Sequence, residues 1–239
     1  MNAILVTLIL GFSFLLGAFF ITLSKRKEMV EHLSVSLAFG AMLAISLFDL
    51  VPEILEEASG YSVLYESLFV VLGVLLLKLL DLFIPEHEGS EESEEGNLVH
   101  IGVMSVAAIA LHNIVEGMTV YNVAALSMKS GLSLAVGVGL HNIPMGMFIY
   151  STMEYESRRR RCTIMGIATI STFLGGVLMS VLKVDEGLVP YLTSLALGMV
   201  IYILFFELLP NVFHSKERKL SVLGTALGLV VVLLSMLFE

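Results

Sequence analysis

Eight stretches of the chain are apolar and poor in charge, at about 2–23, 33–57, 64–84, 98–124, 131–153, 162–182, 187–213 and 220–238. Each matches or exceeds the ~20 residues that a helix needs to cross roughly 30 Å of bilayer hydrocarbon. Lipid offers the backbone no hydrogen bonds, so runs of this length predict helices that satisfy their own. The expected fold is therefore all-α and integral to the membrane: eight transmembrane helices in a single domain over residues 1–239, joined by short connections.

Polar residues interrupt these runs in a repeated way. The fourth run contains ALHNIVEGMT (110–119) and the fifth contains GLHNIPMGMF (139–148). His112 and Glu116 are four residues apart and so share one helix face, with Asn113 beside it. His141, Asn142 and Met145 repeat that spacing, except that a methionine stands where the first copy has its carboxylate. Pro144 lacks an amide hydrogen and is expected to bend the fifth helix. Gly117, Gly137, Gly139 and Gly146 would let neighbouring backbones approach.

A second repeat joins the second run to the seventh. AFGAMLAISLFDLVPE (38–53) aligns without a gap with ALGMVIYILFFELLPN (196–211), pairing Ala38 with Ala196, Gly40 with Gly198, Asp49 with Glu207 and Pro52 with Pro210. Five runs apart, the two segments must cross in opposite directions. This is the signature of a 3+2+3 inverted repeat, in which runs 1–3 answer runs 6–8 around a central pair. Proteins built this way place their site near the midplane, at the repeat interface.

Composition agrees with a lipid environment: 57% of residues are hydrophobic and 15% charged, and the mean hydropathy is +0.93. The net charge of −9 therefore has to be read loop by loop. Lys25, Arg26 and Lys27, Arg158 to Arg161, and Lys216, Arg218 and Lys219 all fall on one side, whereas Lys129 and Lys183 fall on the other. The positive-inside rule makes the first side cytoplasmic and both termini extracytoplasmic, in the inner or plasma membrane. Lys78, near the inner end of the third run, reads as a snorkelling residue paired with Asp81. The stretch PEHEGSEESEEGN (85–97) is acidic and cytoplasmic, either a solvated connector or a weak cation sink. Cys162 is the only cysteine, which excludes an intrachain disulfide and a cysteine-based zinc cage. No basic region precedes the first run, so no cleavable signal peptide is read.

Ionisable groups deep in a membrane cost roughly 2.5–3.5 kcal/mol each on insertion scales and mark ion paths, proton relays or metal sites. Imidazole and carboxylate are ligands suited to borderline divalent metals such as Zn²⁺. His112, Glu116 and His141 form the core of such a site, with Asp49 and Glu207 as candidates from neighbouring helices. The plain alternative is a hydrogen-bonded polar knot that holds the bundle together. Met145 reads either as packing or as a weak thioether ligand, and most of the other methionines as flexible packing.

With these motifs in place, the chain resembles the ZIP family of divalent metal transporters along its whole length. That family's HNxxEG matches His112, Asn113, Glu116 and Gly117. Its HNIPEG or HEIPHE matches His141 through Gly146, and its carboxylate before Leu-x-Pro matches Glu207. The resemblance implies a first metal site of His112, Glu116 and His141 with Met42 contributing from the second helix. It also implies a second site of Asn113, Glu116, Asn142 and Glu207. Members with two metals share a glutamate at the position that Met145 fills here, so the expectation is one metal, or two with much weaker occupancy of the second. The implied function is uptake of a divalent metal, zinc first, with Fe²⁺, Cd²⁺ or Mn²⁺ as alternatives. Rival readings are a metal sensor or non-transporting paralogue and an intramembrane metal hydrolase. No catalytic cofactor, nucleotide or nucleic acid is implied; the expected partners are the metal ion and the bilayer, and a homodimer is left open.

Overall fold

The computed structural model describes residues 2–23, 27–57, 62–82, 94–154, 156–182, 186–215 and 217–238. Most of the acidic stretch 85–97 lies outside the described residues, as do Lys25, Arg26, Lys183, Asp185 and Lys216. Among those described, eight helices are long and apolar enough to cross a membrane. They are Ala3–Leu23, His32–Glu56, Val63–Asp81, Leu98–Leu126, Met128–Thr152, Arg158–Leu182, Val189–Phe213 and Arg218–Ser235, here called the first to eighth spans. The protein is an all-α membrane bundle.

Burial sorts the spans into centre and rim. Only 17% of the third span's most apolar window and 28% of the eighth's are buried, against 67% for the second, fourth and seventh. The third and eighth spans therefore show most of their leucines and valines to lipid. The polar motifs lie on the central spans.

Close helix contacts make the repeat visible. A Cβ added at Gly17 would strike the backbone at Ile143 and Met147, so the first span lies directly on the fifth. A Cβ at Gly175 would strike Ile114 and Met118, laying the sixth span on the fourth in the same register. Gly146 against Phe14 is answered by Gly117 against Thr172. Likewise Gly228 meets Leu37 and Ala41 between the eighth and second spans, and Gly73 meets Leu195 and Met199 between the third and seventh. Exchanging spans 1–3 with 6–8, and the fourth with the fifth, maps each contact onto its partner. Small residues permit this backbone-to-backbone packing, which in lipid has to supply by van der Waals contact what water exclusion supplies elsewhere.

The second and seventh spans share a local distortion. Ser46–Leu50 and Ile203–Leu208 are π-helical turns. In the first, the Val51 amide donates to the Ser46 carbonyl, and in the second the Leu209 amide donates to the Leu204 carbonyl. Each turn ends two residues before a proline, Pro52 or Pro210. A proline ring crowds the carbonyl one turn back and offers no amide hydrogen, and a wider turn relieves the clash. Asp49 and Glu207 both sit on these turns. The fifth span, by contrast, is α-helical without interruption across Pro144.

Candidate metal centre

His112 lies near the middle of the fourth span and His141 near the middle of the fifth. The fourth and fifth spans pack together at the bundle's centre, which aims both imidazoles at the same point. His112 Nε2 is 2.9 Å from Glu116 Oε1, and His141 Nε2 is 2.7 Å from the same oxygen. The two ring centroids are 6.3 Å apart. Side-chain exposure is 9% for His112, 10% for Glu116 and 2% for His141. Two nitrogens that converge on one carboxylate oxygen out of reach of bulk water need either protons or a cation between them.

Several polar atoms here lack partners among the described residues. Glu116 Oε2, Asn113 Oδ1 and Asn142 Nδ2 are buried without a hydrogen bond, and His112 Nε2 approaches Glu116 without hydrogen-bond geometry. Buried polar atoms are nearly always satisfied, so such a group calls for a ligand or water. The other end of Asn113 is fixed: its Nδ2 donates to the Ala168 carbonyl at 3.0 Å and to Ser171 Oγ at 3.1 Å. That anchors the fourth span to the sixth and leaves Oδ1 turned away from those partners.

A cavity of about 10 Å³ adjoins the imidazoles and is lined by Met42, Ile109, Asn113, Asn142, Met145 and Val200 as well. This is room for about one water-sized body. Met42 and Met145 are each 3% exposed. Asp49 is half-buried on its π turn and is close enough to His141, His112 and Glu116 to interact electrostatically. Its oxygens do not join the tight cluster of His112, Glu116 and His141, whose ligand atoms all lie within 4.8 Å of one another. Glu53, one turn further toward the termini side, also acts on His112.

Glu207 is brought somewhere else. Its carboxylate gathers with Asp81 and His100 within 4.8 Å, in the half of the bundle away from the termini. His100 Nε2 is 2.8 Å from Asp81 Oδ1, and the Tyr202 hydroxyl donates to Asp81 Oδ2 at 2.9 Å. Asn211 Nδ2 donates to the Glu207 backbone carbonyl at 2.7 Å, steadying the turn below the π segment. Asp81 thus gives its oxygens to His100 and Tyr202, and the expected pairing with Lys78 is not among the ion pairs of the described residues. The sequence signal for this second cluster was present: an ionisable residue closes the third span and another opens the fourth.

The arrangement has one buried His/Glu centre at mid-depth, acids above it, and a second Asp/His/Glu group below it. Comparison with known proteins bears on the family. The family model for the ZIP zinc transporter matches residues 81–236. A zinc transporter ZupT of Chlorobium luteolum is 31% identical, with 98% of this chain and 97% of the relative aligned. ZupT proteins of Enterobacter sp. and Salmonella heidelberg are each 30% identical, over 73% of this chain and 71% of theirs. With the family model covering more than half its residues and a relative aligned end to end, the chain belongs to the ZIP family of zinc transporters.

Proposed function

We propose that the protein takes up Zn²⁺ across the inner membrane into the cytoplasm, with His112, Glu116 and His141 as the transport site. The observation that carries this is the convergence of three ligand atoms within 4.8 Å at mid-depth. Asp49 and Glu53 stand on the termini side, taken as extracytoplasmic, and draw cations toward the centre. There the ion exchanges its water for two imidazoles and a carboxylate, displacing the proton that His141 and Glu116 otherwise share. Asp81, His100 and Glu207 receive it on the cytoplasmic side. The repeat relates the two sides by backbone, and these side chains make them chemically unequal.

Met145 supports a single metal in the centre. Two dications within about 4 Å repel strongly at low dielectric, and a bridging carboxylate offsets this where a thioether cannot. Passage requires the group of first, fourth, fifth and sixth spans to shift against the second, third, seventh and eighth. The contacts divide along that line, since each rim span is paired tightly with a central span of its own group.

Zinc influx into proteoliposomes tests the proposal. His112→Ala combined with Glu116→Ala is expected to abolish it, and influx that survives the pair would sink the transport site. Metal bound by the native protein without any flux would point instead to a non-transporting relative.

A further inference from the structure

The wall of the central cavity is softer than a carboxylate-rich zinc site. Met42 from the second span and Met145 from the fifth both line it beside His112 and His141, each 3% exposed. Met145 lies one turn beyond His141, the position that Glu116 holds relative to His112. Among the described residues, Glu116 is the only carboxylate whose oxygen joins the two imidazoles within 4.8 Å. The lower cluster is the opposite, with two carboxylates and one imidazole.

Two consequences follow for an ion at the centre. A hard cation such as Mn²⁺ is bound chiefly by charge and oxygen, and here one carboxylate leaves it under-compensated in a low-dielectric site. A thiophilic closed-shell cation is polarizable enough to draw on sulfur as well as imidazole nitrogen. A leucine would fill either methionine position with similar volume and no donor, so the sulfur atoms are what distinguishes this wall chemically.

We propose that Met145 is a specificity determinant of the central site, favouring thiophilic cations, with Cd²⁺ foremost among divalent ions, and disfavouring Mn²⁺. This rests on the transport site proposed above. Met145 does so by offering a thioether from the fifth span where a carboxylate would have favoured oxygen-loving ions.

The test uses the full chain in proteoliposomes with radiolabelled Cd²⁺ and Mn²⁺ as probes, in a Cys162→Ser background that removes the exposed thiol. Met145→Leu and Met145→Glu should each lower the Cd²⁺:Mn²⁺ uptake ratio by about tenfold. A ratio within about twofold of native in both would overturn the proposal. X-ray absorption on the Cd²⁺-loaded Cys162→Ser protein should show sulfur scattering that Met145→Leu diminishes, and a purely nitrogen and oxygen shell would overturn it. If uptake of both ions survives His112→Ala with Glu116→Ala, the transport site and this inference fall together. If that pair abolishes uptake but the ratio is unmoved by Met145→Leu and Met145→Glu, this inference falls alone.

Discussion

Glu116 holds the centre together because one of its oxygens serves two imidazoles at 2.9 and 2.7 Å. Among the described residues it supplies the one carboxylate oxygen of the cluster. Glu116→Gln trades that charged oxygen for a neutral one and should cut zinc affinity by about a hundredfold. Isothermal titration of the purified protein measures this directly. As the proposed ligands, the same groups would also set the pH response. Protonation of an imidazole or of the carboxylate each removes a ligand, so both act in one direction and zinc affinity falls as the medium is acidified. A flat affinity between neutral and mildly acidic pH would show that these groups do not bind the ion. Asn113 belongs to the same scale: its two amide hydrogen bonds to the sixth span fix which face of the fourth span turns inward.

Single helices explain how such residues are aimed. The π turns ahead of Pro52 and Pro210 rotate Asp49 and Glu207 relative to a regular helix, because one extra residue per turn shifts every side chain that follows. Pro210→Ala restores the missing amide donor and lets the turn tighten. Zinc uptake should then fall while binding at His112, Glu116 and His141 persists, since Glu207 belongs to the lower cluster. Parallel binding and flux measurements on the one variant separate the two effects. Glycine positions give a second check. Gly117 has no room for a Cβ against the Thr172 backbone, whereas Gly166 meets nothing within 4 Å. Gly117→Val should destabilise by about 1–3 kcal/mol or more through overpacking, and Gly166→Ala should not, as read by thermal unfolding in detergent.

At the scale of the whole molecule, the proposed shift of one group of spans against the other would break the contacts that cross between them. Ser34 of the second span and Ser151 of the fifth bring their hydroxyl oxygens to 2.5 Å, buried on the side away from the termini. Asp81 and His100 make a second such crossing, between the third and fourth spans. Both must part if the centre is to open in that direction. Ser34→Cys with Ser151→Cys, in the Cys162→Ser background, should form a disulfide that arrests zinc uptake and releases it on reduction. Full flux in the oxidised protein would mean that the groups do not separate there.

The sequence by itself determined the eight spans, the pairing of second with seventh and fourth with fifth, and the His112, Glu116 and His141 set. These depend on local facts: length of apolar runs, i to i+4 spacing, and polar groups whose presence in lipid demands a reason. What Glu207 and Asp81 do was decided only in three dimensions. Glu207 is expected from its motif beside the central site, yet the seventh span delivers it to Asp81 and His100. Asp81, three residues from Lys78, faces His100 and Tyr202 instead. Helical spacing tells which residues share a face, but the neighbour opposite that face is chosen by how whole helices pack. For these acids that choice runs through Gly73 and Gly198, whose backbone contact lays the third span on the seventh and brings Asp81 and Glu207 to the same place about two turns further on.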